Sequence, residues 1–205
     1  MYLPTAFAET DDGRLLDFIE EHGFCTLVTV VEQAPFASHL PVVLDRQRRL
    51  LLGHLARANP HWRGFNQGGE ALVIFAGPHG YVSPSWYETA PAVPTWNFTA
   101  VHVYGRPRAV LDEGWISDIV DRLSRKFEGS ASPAWLEAMP ADYRRRMLQG
   151  VVGVGVPISR VEGKFKLSQN RSAADRQGVI RHLEGRGDDD SLRLAALMRE
   201  RLGPG

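Results

Sequence analysis

The apolar positions of this chain fall mostly in short runs bounded by glycine, proline or polar turns, a pattern typical of β-strands. Three such runs follow one another closely between residues 24 and 56: FCTLVTVV, PFASHLPVVLD and LLLGHLA. Short links favour antiparallel pairing of neighbouring strands, so these runs predict an antiparallel sheet. Further strands are predicted for ALVIFAG, for NFTAVHVYG with its continuation RPRAVL, and for VVGVGVPISRVEG.

Helical periodicity interrupts this strand pattern at several places. The predicted helical segments are, in chain order, Asp12–His22, a helix beginning at Pro60, 115–127, 133–148 and two pieces after Ser172. Strands and helices do not alternate as they do in a parallel sheet. The sequence therefore predicts a mainly β protein, an antiparallel barrel decorated by α-helices.

Composition narrows the classes of function. Lysine and arginine number 24, as do aspartate and glutamate, so bulk charge favours neither a nucleic acid nor a membrane as partner. The seven histidines are scattered and the chain has one cysteine, so no metal site is expected. Cys25 lies in an apolar run, which predicts a buried thiol in a reduced, cytoplasmic setting. Neither a signal peptide nor a membrane span is expected.

The segment GHLARANPHW, residues 53–62, allows two interpretations. In the structural one, Asn59 caps a helix whose first residue is Pro60. In the chemical one, the amides of the helix start and the guanidinium of Arg57 bind a phosphate. The structural interpretation explains most of the segment, although it gives no reason for an arginine at the strand end.

Two further segments carry candidate binding groups. Residues 80–98, GYVSPSWYETAPAVPTWNF, combine five large aromatic side chains with three prolines, which suits either a wall for a flat ligand or a cover for one end of the barrel. Residues 164–172, KFKLSQNRS, end a half-buried strand with many hydrogen-bonding groups. These groups either bind the polar edge of a heteroaromatic ring or form a solvated strand end before a helix capped by Ser172.

Taken together, six motifs resemble the PaiB family of FMN-binding negative transcriptional regulators. They occur in the family's order, from Met1 to about Leu183: MYLPTAF, HLP, GHLARANPHW, YVSPSWY, VPTWNF followed by VHVYG, and KLSQNRS. The resemblance implies an FMN-binding split β-barrel of antiparallel, Greek-key type at residues 1–183, followed by a C-terminal helical tail at 184–205. It also implies a homodimer with the flavin at the subunit interface.

The resemblance also implies the cofactor-binding residues. Those expected at the FMN phosphate are Arg57, Ala58 and Asn59. Those expected along the ribityl chain or ring are Ser38, His39 and His54. By analogy with related flavin barrels, the other subunit would contribute Trp96 and Asn97. Those expected near the polar edge of the flavin are Lys166, Gln169 and Asn170.

Function remains open between two classes at this point. The resemblance implies a negative transcriptional regulator, acting on DNA directly or through a partner, but the chain shows no helix-turn-helix and no net positive charge. The alternative is an FMN-dependent oxidoreductase of the flavin reductase or pyridoxamine phosphate oxidase type, with an unknown substrate. No residue stands out as a general acid or base, and related barrels make heme or a deazaflavin a third possibility.

Overall fold

The computed structural model describes residues 1–67, 69–129 and 133–202, without the side chains of residues 66 and 67. Its strands are β1 (Ala8–Glu9), β2 (Phe24–Val31), β3 (Ala34–Asp45), β4 (Leu50–Ala56), β5 (Ala71–Val82), β6 (Thr95–Gly105), β7 (Arg108–Val110) and β8 (Val151–Lys166). Its α-helices are α1 (Asp12–Glu21), α2 (Glu113–Glu128), α3 (Ala134–Glu137), α4 (Ala141–Gln149), α5 (Ala173–Arg186) and α6 (Asp189–Glu200). Short 3-10 helices occupy Thr5–Phe7, Pro60–Gln67 and Pro84–Trp86.

The strands form one sheet in the order β1-β8-β4-β3-β2-β5-β6, and β7 pairs with β8. The recorded registers of β2 with β3, β3 with β4 and β4 with β8 are all antiparallel. A two-residue turn joins β2 to β3, and both of its residues, Glu32 and Gln33, have positive φ angles of 50° and 66°. Such a turn matches the twist of the flanking strands and fixes their register. The predicted antiparallel, mainly β class is therefore confirmed.

The chain divides into two compact units. The first unit comprises Met1–Leu15, Ala76–Val101 and Glu162–Gly205, and the second comprises Leu16–Phe75 and His102–Val161. The predicted limits of a barrel at 1–183 and a tail at 184–205 stay a prediction, although α5 continues through that boundary as one helix.

The second unit is built around the apolar face of its strands. Cys25, Leu27 and Leu51 are almost fully buried there, which confirms the prediction of a buried thiol. The amphipathic helix α2 covers part of this unit by packing Ile119 and Leu123 against Leu52 of β4. Burial of such side chains is the main source of the unit's stability.

The first unit holds α5 and α6, which bury Leu183, Leu194 and Met198. At Gly178 in α5, an added Cβ would overlap the backbone carbonyl oxygen of Trp86, so the helix and the Pro84–Trp86 turn approach closely only because this residue is glycine. The Asp175 carboxylate joins α5 to the segment that follows this turn. It accepts hydrogen bonds from the backbone amides of Glu88 and Thr89 and from the Thr89 hydroxyl, at 2.7 to 3.1 Å.

Two predicted helices differ from the observed ones. The segment beginning at Pro60 is a 3-10 helix, which suits a sequence with few strong helix formers. Its start confirms Asn59 as the cap, because the Asn59 side-chain oxygen accepts a hydrogen bond from the amide of His61 at 3.0 Å. The stretch 133–148 is divided into α3 and α4, since Pro140 cannot continue a helix.

Candidate functional site

Arg57 directly follows β4 and is the first residue of the turn that leads to the 3-10 helix at Pro60. Its Nε donates to the carbonyl oxygen of Gln149 at 2.6 Å, and its Nη2 donates to that of Val151 at 3.2 Å. The side chain therefore ties the end of β4 to the start of β8, which gives the arginine a structural role that the local sequence did not reveal. Its third nitrogen, Nη1, has no partner among the described residues.

A buried polar network lies beside Arg57 and joins Ser38 of β3 to Asn59. The Asn59 side-chain amide donates to the Ser38 hydroxyl oxygen at 3.0 Å, and His61 Nδ1 lies 2.9 Å from the same oxygen. The other ring nitrogen of His61 lies 2.8 Å from the Thr29 hydroxyl oxygen. His61 is fully buried between the rings of Phe36 and Phe65, and burial lowers its pKa.

This network makes His61 a positioning residue for Ser38 and Asn59. A neutral imidazole offers one donor and one acceptor, which suits two hydroxyl partners. Sequence reasoning did not select His61. The sequence signal for His61 is its position two residues after the capping Asn59. At this position its backbone amide bonds to the Asn59 side chain, and its ring reaches Ser38 and Thr29 on the neighbouring strands.

The two other predicted histidines are held differently. His39 lies on the exposed face of β3, 3.0 Å from the Thr26 hydroxyl through Nδ1, whereas its neighbour Ser38 points to the buried face. Successive strand residues face opposite sides, so Ser38 and His39 point to opposite faces of β3. His54 on β4 is half-buried, its Nδ1 has no partner among the described residues, and burial lowers its pKa.

The predicted residues of the first unit form a second group. The Lys166 ammonium donates to the Thr95 hydroxyl and to the carbonyl oxygen of Trp96, the latter at 2.6 Å. Asn97 is fully buried and its side-chain amide donates to the Ser168 hydroxyl at 2.9 Å. Ser168 has a φ angle of 62°, a left-handed conformation that is uncommon for serine.

The remaining members of this group are placed as follows. Trp96 is half-exposed, with its indole nitrogen 3.3 Å from His79 Nδ1. The Gln169 amide is engaged locally, accepting from the amide of Leu167 at 2.7 Å and donating to the carbonyl oxygen of Phe165. Asn97, Lys166 and Asn170 line one cavity of about 170 Å³.

The structure thus brings together two sets of the predicted residues, Ser38 with 57–59 in the second unit and Asn97 with Lys166 and Asn170 in the first. Within the second unit, Ser38 and Asn59 are in direct contact, and Arg57 and Ala58 precede Asn59 in the same turn. The roles of the eleven residues toward a flavin, and the assignment of Trp96 and Asn97 to another subunit, stay predictions.

Across the part of the chain that the structure describes, no group of three or more histidine, cysteine or acidic side chains is arranged to hold a metal ion. In the same described ranges, no helix has the length and apolar character needed to cross a membrane.

Comparison with known proteins gives a consistent result. Residues 1–160 match the family model described as a "Putative FMN-binding domain". Protease synthase and sporulation protein PAI 2 of Bacillus subtilis is 33% identical over 205 residues, covering 98% of this chain and 98% of its own.

Solved structures share the fold at low sequence identity. An FAD and heme binding protein from Mycobacterium smegmatis has a TM-score of 0.63 at 16% identity, covering 83% of this chain and 78% of its own. A flavocytochrome from Azotobacter vinelandii has a TM-score of 0.61 at 13% identity, covering 78% of this chain and 69% of its own. The split-barrel fold and the resemblance to the PaiB family are confirmed, and the chain belongs to the family of the putative FMN-binding domain.

Proposed function

We propose that this protein binds FMN and that the turn between β4 and the 3-10 helix holds the FMN phosphate. The observation that carries the proposal is a set of unused donors at this turn. Neither Arg57 Nη1 nor the amide of Ala58 has a partner among the described residues, and both residues are exposed. A guanidinium and a backbone amide are the donors that bind phosphate in proteins.

The neighbouring network supports this assignment by holding the turn in place. Asn59 is fixed at both ends of its side-chain amide, by the Ser38 hydroxyl and by the amide of His61. The turn therefore presents its donors without further ordering, which lowers the entropic cost of binding. The amides of Asn59 and His61 are already used within the turn, so the phosphate contact falls to Arg57 and Ala58.

FMN bound here would supply redox chemistry that the side chains of the chain lack. The residues of the turn bind and orient it, and those of the first unit are assigned to the flavin edge by the resemblance alone. We further propose a homodimer. It is supported by the apolar residues Phe24 and Val30, which lie six positions apart on β2 and are 64% and 66% exposed.

A regulatory role would then depend on the flavin or on a partner, not on DNA contacts by the basic triplet of α4. Arg144 donates to the Asp121 carboxylate at 2.6 Å and to Ser117 at 2.7 Å. Arg145 lies 3.6 Å from the Asp142 carboxylate, and Arg146 lies over the ring of Tyr143. Arginines that are already paired or stacked leave little positive surface for a phosphate backbone.

The proposal is tested by titrating the purified protein with FMN, FAD, riboflavin and heme, followed by absorbance and flavin fluorescence. We expect FMN to bind at least tenfold more tightly than riboflavin, since only FMN carries the phosphate. Equal affinities would contradict the phosphate site, and binding of heme alone would contradict the flavin assignment. Sedimentation of the FMN-loaded protein tests the dimer, and a monomer would contradict it.

A further inference from the structure

A cavity in the first unit has an unusual balance of charge. It has a volume of about 170 Å³ and lies where β8 ends and β6 begins. Its polar lining residues include Tyr87, Asn97, Lys166, Ser168, Asn170 and Arg171, and none of its lining residues is acidic. Two cations thus face a space with no carboxylate to compensate them.

The two cations are also without acidic partners elsewhere in the described chain. Lys166 donates to a hydroxyl and a carbonyl, and the Arg171 guanidinium lies 4.4 Å from the centre of the Tyr87 ring. Other cations of this unit do have such partners: Arg14 contacts Glu200 at 2.7 Å. Burial, and after it the charge of Lys164, lower the pKa of Lys166, and an anion bound beside the ammonium would act in the opposite direction.

Tyr87, one of the residues that line this cavity, carries a hydroxyl without a partner in the part of the chain that the structure describes. The Tyr87 hydroxyl is buried and has no hydrogen-bond partner among the described residues. Buried polar atoms are almost always paired, so an unpaired one indicates a missing ligand or water. Two other lining residues, Asn97 and Ser168, hold each other by two hydrogen bonds, of 2.9 and 3.2 Å.

We propose that this cavity binds the carboxylate or phosphate group of a small molecule, with Arg171 and Lys166 supplying the charge and Tyr87 a hydrogen bond. Both groups are oxyanions that accept from a guanidinium, an ammonium and a phenol. The volume is below the roughly 300–1,000 Å³ of drug-sized sites, so a small ligand or one terminal group fits and a flavin ring does not. The inference stands apart from the FMN phosphate turn, which lies in the other unit.

The test is a titration of the flavin-free protein with acetate and with inorganic phosphate at constant ionic strength, followed by calorimetry. Comparing the two anions distinguishes a carboxylate site from a phosphate site. We expect saturable binding of one of them, weakened at least tenfold in Arg171→Gln. Arg181→Gln is the matched control, because Arg181 is an exposed arginine of α5 outside the cavity and should leave the affinity unchanged.

Tyr87→Phe provides an independent readout if the arginine variant folds poorly. Removing a buried, unpaired hydroxyl should raise the melting temperature while weakening anion binding several-fold. A lower melting temperature together with unchanged binding would overturn the role of the hydroxyl. Absence of saturable binding by either anion in the wild type would overturn the inference as a whole.

Repeating the titration with FMN present separates this inference from the proposed function. An unchanged anion affinity in the FMN-loaded protein supports a distinct oxyanion site. Competition between FMN and the anion overturns the inference, because Lys166 and Asn170, which the resemblance assigns to the flavin edge, would then belong to the flavin site. If the anion binds but no flavin does, the proposed function fails and the inference stands.

Discussion

Replacing Arg57 by alanine separates its structural role from its proposed binding role. The variant loses two hydrogen bonds to the exposed carbonyls of Gln149 and Val151. Because water can replace both, we expect at most about 1–3 kcal/mol of lost stability. Loss of a charge-assisted phosphate contact costs about 1.5–3 kcal/mol of FMN affinity, roughly ten- to a hundredfold.

The assay compares FMN with riboflavin in the wild type, Arg57→Ala and Arg57→Lys, using quenching of flavin fluorescence. A phosphate contact predicts that Arg57→Ala weakens FMN and leaves riboflavin nearly unchanged, and that lysine restores only part of the difference. Arg63→Ala controls for general charge and should keep the FMN preference, because Arg63 is an exposed arginine of the 3-10 helix that follows the turn. Equal losses for both ligands would show that the residue acts only through folding, and an unchanged FMN affinity would refute the phosphate assignment.

Three further predictions concern stability. His61→Phe should cost about 1–3 kcal/mol through two lost hydrogen bonds. Because the pKa of buried His61 is lowered, the unfolded chain binds a proton at this residue more readily than the folded chain. The free energy of unfolding of the wild type should therefore fall as the pH drops below about 6.5, by up to about 1.4 kcal/mol per pH unit. Urea denaturation at several pH values should show a weaker dependence of this free energy on pH in His61→Phe. Hydrogen bonds hold the pKa of Asp175 below its ordinary value, so the ionised carboxylate stabilises the folded chain. The difference in melting temperature between wild type and Asp175→Asn should therefore be largest above about pH 4 and should decrease at lower pH. Gly178→Ala should destabilise by about 1–3 kcal/mol through overlap with the Trp86 carbonyl, whereas Gly185→Ala, in open space on the same helix, should stabilise by up to about 1 kcal/mol.

Each of these has a contrary outcome. A pH slope that is identical in wild type and His61→Phe would mean that His61 binds its proton equally well in the folded and unfolded chains, which contradicts a lowered pKa. A constant difference between wild type and Asp175→Asn down to pH 3 would contradict a lowered pKa. Equal effects of the two glycine substitutions would show that α5 shifts freely away from the loop.

The sequence by itself determined the elements whose cause is local. The runs at Phe24–Val31 and Leu50–Ala56 were predicted with the bounds that the structure has. The first is rich in β-branched residues and the second is an apolar run between polar turns, and both signals act within a few positions. The cap at Asn59 followed from its own side chain and the next proline. Family membership came from the order of six motifs along the chain.

The tertiary structure alone decided the partners of the polar side chains. Arg57 meets a carbonyl 92 positions away, and His61 meets hydroxyls on two strands that precede it by 23 and 32 positions. Similarly, the positive charges of Lys166 and Arg171 are neutralised only if the fold brings carboxylates near them. Hydrogen bonds and ion pairs act over a few ångströms in space, whereas propensity acts along the chain, so only packing of distant segments determines where charge and unpaired donors remain.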